Sequence, residues 1–270
     1  MDKKELCEQA DEFVRNSSHN YVDAATALCP QYANMKLFDA PVFAFGDSND
    51  ELYSCYKSSD IIGECFLSPL EWLASAKTVI SFFLPFTDAI KSANSTDFKW
   101  PADEWLHGRY EGQMLVKELS LFIQNKLMEA GHASVVPSID QRFNLSYDEK
   151  NTKYKVNWSE RHIAYACGLG TFGLSKGIIT EKGTCGRLGS IITEFDFQKD
   201  IRLYNDVYEY CTMCGECIPN CPVSAISIES GKDSERCSRF LDETRAKHAP
   251  RYGCGKCQVN VPCESEIPLR

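Results

Sequence analysis

Eight of the fourteen cysteines fall within the last sixty residues, and they are the part of this chain best suited to do chemistry. Cys211, Cys214, Cys217 and Cys221 read C-x2-C-x2-C-x3-C, with Pro222 next; Cys237, Cys254, Cys257 and Cys263 follow. Three thiolates separated by two residues on a tight loop can wrap three corners of one iron–sulfur cubane. A fourth, followed by proline, points away toward a second cubane. The spacing therefore predicts two 4Fe–4S clusters. Cys211, Cys214 and Cys217 start the first. Cys221 joins the neighbouring pair Cys254 and Cys257, with Cys237, in the second, and Cys263 is left to complete the first. Structural zinc is the competing reading, because paired C-x2-C is also zinc spacing. The third cysteine at the same interval and the Cys-Pro step favour iron and sulfur.

Most of the other six cysteines, Cys7, Cys29, Cys55, Cys65, Cys167 and Cys185, read as small buried hydrophobes, and the set suits a low-oxygen setting. A cysteine-rich chain with no apolar signal core reads as cytosolic and metal-binding rather than disulfide-bonded. No apolar run approaches the ~20 residues of a membrane span. The net charge of −9 argues against broad nucleic-acid binding, which depends on neutralising phosphates. Arg245, Lys247, His248, Arg251 and Lys256 cluster in sequence and read as a solvated face.

The elements that must position these thiols come from the preceding part of the chain. Length allows one large domain, 1–200, and a small cysteine domain, 201–270. Residues 3–15 have the period of an amphipathic helix. Ser68-Pro69-Leu70-Glu71 is a helix start with serine at the N-cap, and that helix is expected to end near Ala76. Thr78 to Leu84 reads as a buried strand, 86–111 as loop or surface, 112–130 as a strong helix closed by Gly131, and 133–137 as a second strand. Strand, helix, strand predicts a mixed-sheet α/β domain. Asn157 is expected to cap a helix with Glu160 at its third position. Gly168 to Gly173 matches G-x-G-x-x-G, but a helix precedes it and a strand, 177–180, follows. The dinucleotide reading is therefore rejected. A further strand is expected at 190–194.

The stretch Asn157-Trp-Ser-Glu-Arg-His-Ile-Ala-Tyr-Ala-Cys-Gly-Leu-Gly-Thr-Phe-Gly173, followed by the eight cysteines, resembles the epoxyqueuosine reductase family, in a short form related to the reductive dehalogenases. The resemblance spans about residues 65–265 and implies the same two cysteine sets. It further implies a nitroreductase-like α/β domain that binds cobalamin, followed by a two-cluster ferredoxin-like domain. Arg161, Gly168, Leu169, Gly170, Thr171, Phe172 and Gly173 would then lie against the corrin or its tail. The proton donor would fall at Tyr154, where the family has an acidic residue, or at His162. The implied activity is a reductase that passes single electrons through two clusters to cobalamin. Its partners would be a low-potential donor such as ferredoxin or flavodoxin, and a small-molecule or nucleoside substrate. The acidic charge, and a chain that stops before the family's helical-repeat domain, argue against tRNA. The alternative is an iron–sulfur electron carrier, or a protein that reduces the corrinoid of a partner.

Overall fold

The computed structural model describes residues 2–147 and 154–269. Helix α1 (Lys3–Asn16) opens the chain, capped by Asp2, whose side chain accepts from Glu5 N. Strand β1 (Val42–Asp47) follows, then two single-turn helices, α2 (Leu52–Cys55) and α3 (Pro69–Trp72). The Ser68/Glu71 capping box is present, but α3 ends at Trp72, before Ala76. Strand β2 (Thr78–Pro85) is buried along its whole length, as its apolar run predicts.

Segment 86–111 is not a loop. It forms helices α4 (Asp88–Asn94) and α5 (Asp103–Tyr110), which pack on each other. Their mixed polar and aromatic sequence hides the helical period because α5 has several different neighbours: Phe86, the cysteine segment and solvent. Helix α6 (Gly112–Glu129) ends at Gly131, which is left-handed at φ 82°. Strand β3 is shortened to Ser134–Val135, and β4 (Leu145–Tyr147) pairs with β5 (Tyr154–Val156). Helix α7 (Glu160–Cys167) starts two positions later than expected. Ser159 is its N-cap; Asn157 instead braces the preceding loop, donating to Arg142 O at 2.8 Å and accepting from Asn144 N at 3.0 Å. After it come β6 (Thr171–Phe172), β7 (Ile178–Ile179) and β8 (Gly186–Thr193), the last starting four residues earlier than the sequence suggests.

The main sheet has the order β1-β2-β8-β3, and every pairing in it is antiparallel. The mixed sheet expected from the sequence is thus corrected: β2 and β3 run the same way, but β8 lies between them. Alternation along β2 divides the core. Ile80, Phe82 and Leu84 face α1 and α6, while Val79 and Phe83 face α7, Trp72 and Trp158. Both faces are covered, which fits a strand buried from end to end.

The cysteine segment has little regular structure. It holds a two-residue hairpin, β9 (Ile226–Ser227) with β10 (Gly231–Lys232), and helix α8 (Ser234–His248). It is fastened tightly to the sheet half. Asn94 donates to Cys254 O at 2.9 Å, Lys256 donates to Asn94 O at 2.6 Å, and Lys91 donates to Ser265 at 2.8 Å. Arg251 pairs with Glu111. Arg251 and Lys256 are therefore buried, at 8% and 3% exposure, and the solvated face expected of this basic run is corrected for those two.

Candidate metal centre

The eight cysteines form one neighbourhood with two sides, joined where Cys257 acts on Cys217 more strongly than Cys211 or Cys214 does. Cys263 lies among Cys211, Cys217 and Cys214, each of which opposes charge on it. Cys254 lies among Cys257, Cys237 and Cys221 in the same way. Burial pushes Cys263 and Cys254 up to about 12, and Cys217 up to about 11, so these thiols hold their protons until a metal draws them off. Among the described residues, no three His, Cys, Asp or Glu side chains converge closely enough to hold a single ion. The chemistry of each set, four thiols and no carboxylate, fits a cubane.

Left-handed residues shape the loops that carry these thiols: Met213, Gly215, Ser224, Gly255 and Asn260 all have φ between 50° and 79°. Cys221 Sγ accepts from Ala225 N at 3.2 Å. An apolar jacket of Leu174, Ile226 and Val261 surrounds Cys217 and packs against cysteines of both sets. Cys214 is exposed, as is Met213, so the first set reaches the surface.

Lys232 lies beside the second set and donates toward Cys257 Sγ at 3.8 Å. The thiolates of Cys257 and Cys237 raise its pKa although burial pulls the other way. Sequence reasoning passed over it, because a lysine in a turn before a helix carries no signal of its own. Arg161 and Lys176 are part of the same electrostatic group, and Arg161 donates to Lys176 O at 2.7 Å.

The glycine segment lies elsewhere than expected. Gly168 is the left-handed cap of α7, with φ 92°. A Cβ on Gly170 would meet Ile179 O at 2.2 Å, and one on Gly173 would meet the Ile179 side chain at 3.2 Å. The close approach is to β7 of the same chain. Leu169 is buried in the core around α7; Thr171 accepts from Tyr210 N at 2.9 Å; Phe172 N donates to Val207 O at 2.8 Å. The close approaches of Gly170 and Gly173 are thus made within the chain, while Gly168 and Phe172 stay half-exposed.

His162 bonds Ser159 Oγ through Nδ1 at 2.8 Å and packs edge-on against Tyr56. Burial lowers it to about 4, so it is a neutral imidazole at pH 7. Tyr154 belongs to β5, but its side chain lies outside the described residues.

A second polar group stands between α5, α7 and β8. Both carboxylate oxygens of Glu160 are buried without a hydrogen-bond partner of normal geometry. Burial raises Glu160 to about 7, while the Ser190 hydroxyl and the Arg187 guanidinium pull it back. Ser190 Oγ accepts from Trp158 Nε1 at 2.9 Å, which leaves its own proton to point at the carboxylate. One signal for this group was legible: Arg187 is a lone charge in the otherwise small and apolar strand GRLGSIIT.

The family described as a 4Fe-4S binding domain matches residues 204–227, which include Cys211, Cys214, Cys217 and Cys221. An epoxyqueuosine reductase of Bacillus anthracis is 35% identical over 115 residues, covering 38% of this chain and 29% of that protein. A crystal structure of epoxyqueuosine reductase with an epoxyqueuosine-modified tRNA stem loop superposes with a TM-score of 0.56 at 19% identity, over 99% of this chain and 66% of that one. The chain is epoxyqueuosine reductase-like. A reductive dehalogenase whose structure was used to suggest a mechanism for B12-dependent dehalogenation has the same core, at TM-score 0.56 and 15% identity over 84% of this chain and 30% of that one. At such identities the structural likenesses establish the fold, a mixture of α and β carrying a 4Fe–4S binding segment. The sequence match to the Bacillus relative spans less than a third of that protein. No helix among the described residues is long and apolar enough to cross a membrane.

Proposed function

We propose that this epoxyqueuosine reductase-like chain is an iron–sulfur oxidoreductase that carries single electrons through two 4Fe–4S clusters. Cys211, Cys214, Cys217 and Cys263 would hold the first, and Cys221, Cys237, Cys254 and Cys257 the second. The observation that supports the reading is the gathering of these thiols around a shared apolar jacket, with no carboxylate among the groups that act on Cys263, Cys254 and Cys217. Residues 201–270 act as the ferredoxin-like wire and residues 1–200 as the nitroreductase-like domain it serves. A low-potential donor such as ferredoxin or flavodoxin would meet the first cluster, where Cys214 and Met213 reach the surface. The protein's own part is to hold the clusters, keep water from the jacket and set the charge around each sulfur.

In its finer form the reading ends at cobalamin, as in the B12-dependent relative, with the reduction of a small-molecule or nucleoside substrate. Cobalamin would supply a metal centre reducible by single electrons. Gly168 and Phe172, half-exposed after α7, would be the part of 168–173 open to it. Because Gly170 and Gly173 make their close approaches within the chain, a second reading stands beside it: an electron carrier, or a protein that reduces the corrinoid of a partner.

One experiment separates them. The protein is reconstituted without oxygen with iron, sulfide and cobalamin, then desalted and examined by absorbance and electron paramagnetic resonance. Eight irons per chain with retained base-off cobalt supports the reductase. Eight irons without cobalt leaves the carrier or corrinoid-reducing partner. Zinc, or iron far below that value, removes both.

A further inference from the structure

Arg109 on α5, Arg187 on β8 and Arg245 on α8 meet around Tyr252. The guanidinium carbons of Arg109 and Arg245 lie 4.5 Å and 4.3 Å from the Tyr252 ring centroid. Arg187 joins them from the sheet, with a hydrogen bond to Gln113 Oε1 on α6. Arg109 and Arg187 each bury Nε without a partner. Among the described residues neither forms an ion pair with a carboxylate, and Arg245 has only the exposed Asp242 three residues back on its own helix, at 3.2 Å. Burial and the charge of Arg109 press Arg187 down to about 10. Three guanidiniums thus gather at Tyr252, two of them with a buried Nε unsatisfied, in a chain of net charge −9. The buried Glu160 carboxyl, which acts on Arg187 more weakly than Arg109 does, forms no ion pair with them. Buried donors and like charges gathered this way cost stability unless an anion bridges them.

We infer that Arg109, Arg187 and Arg245, gathered about Tyr252 beside the second cysteine quartet, form a binding site for a phosphate monoester. The guanidinium fork matches phosphate oxygens in pairs. A monoester carries close to two negative charges at pH 7, which suits three cations better than a single carboxylate or a diester does. The place is also informative. Tyr252 is two residues before Cys254, and a Cβ on Gly253 would lie 2.8 Å from Arg109 Cδ. A molecule anchored by its phosphate at this site sits next to the loop that would hold the second cluster. The inference deepens the proposed oxidoreductase by naming a substrate class, and it rests on that reading only for what the site is for.

The test is calorimetric titration of the iron-replete protein, without oxygen and at fixed ionic strength, with inorganic phosphate as probe. Chloride, acetate and dimethyl phosphate are run in parallel, and iron is assayed on the same sample. The expected result is saturable phosphate binding that Arg187→Gln weakens at least tenfold. Arg245→Gln, on an exposed helix face where folding is not at stake, should weaken it several-fold. Phosphate heats equal to those of chloride, or affinities unchanged in both variants, overturn the proposal. Equal binding of acetate or of dimethyl phosphate also overturns it, in favour of a carboxylate or a nucleic-acid backbone. A midpoint shift of the second cluster in Arg187→Gln with no phosphate binding overturns it too, since the arginines would then only offset cluster charge. Low iron with intact phosphate binding would count against the two-cluster reading and leave this site standing.

Discussion

Glu160 and Lys232 show how single charges are held in opposite ways. Glu160 is a carboxyl raised to about 7 from its ordinary 4.5, because both oxygens are buried and the help from Ser190 and Arg187 is incomplete. On the same helix burial also raises Cys167, to about 12, and lowers His162, to about 4. A raised acid keeps its proton in the folded state where the unfolded chain has lost it. Stability therefore falls as pH climbs from about 4.5 toward 7, and the full deficit persists above that. Glu160→Gln removes the charge and keeps the shape. The variant should match the parent at pH 4 and exceed it at pH 8 by up to about 3 kcal/mol, read from urea unfolding of the iron-replete protein. An equal difference at both pH values would mean that the carboxylate is solvated after all. Lys232 is the converse, a cation placed against Cys257 Sγ at 3.8 Å. A positive charge beside a cluster favours its reduced form. Lys232→Gln should lower the midpoint of one cluster and leave the other in place, with each tenfold change in a one-electron equilibrium being ~59 mV. A redox titration followed by paramagnetic resonance reads both at once, and two unmoved midpoints would separate Lys232 from the cluster.

The elements were legible where one period dominated. Helix α6 and strand β2 each face uniform surroundings, so their apolar spacing gave them away. The cysteine spacing was legible for a different reason: ligand geometry is local, and the 4Fe-4S binding family matches residues 204–227, which hold the first four of these cysteines. Helices α4 and α5 stayed hidden because their partners lie far away in sequence. Trp105 packs on Phe86 and against Gly253 and Gly255 of the cysteine segment, and Asn94 bonds Cys254 O. The tight turn that the glycine segment's sequence allowed is found at Gly168, left-handed at φ 92°. Gly170 needs its missing side chain to approach Ile179 O, a contact within the chain that resembles, in sequence, an approach to a ligand. The α5 contact yields its own test. Gly255 is left-handed at φ 68°, and a Cβ there would lie 1.9 Å from Trp105 Cζ2. Gly255→Ala should shift the Cys254–Cys257 loop off α5, at a cost on the order of 1–3 kcal/mol from backbone strain alone. Purified without oxygen, the variant should hold about half the iron of the parent, with the first cluster's signal intact. Full iron content would show that the loop is not held by Trp105.

Across the whole molecule, the two halves are stabilised by different physics. Residues 42–193 carry a sheet buried on both faces by aliphatic and aromatic side chains. Residues 201–269 offer a two-residue hairpin, one long helix and loops with several left-handed positions, around a small apolar jacket. Such a segment buries too little of its own to offset the entropy of ordering its loops. Its fixed points are the polar ties to α4, α5 and α6 and, when present, eight metal–thiolate bonds. The ties alone leave eight thiols crowded together, several of them raised by burial and by one another. Stripping iron with a chelator under reducing, oxygen-free conditions should therefore unfasten one half and spare the other. In hydrogen exchange, amides of β2 and β8 should keep their protection, while those of 211–228 and 250–263 lose theirs by at least tenfold. Segments on the tying side, Asp88–Asn94 and Asp103–Tyr110, should change to an intermediate degree, because Asn94 and Trp105 lose partners on one side only. If the sheet opens together with the cysteine segment, the molecule is one cooperative unit, and metal at the cysteines holds the sheet half together as well as its own segment.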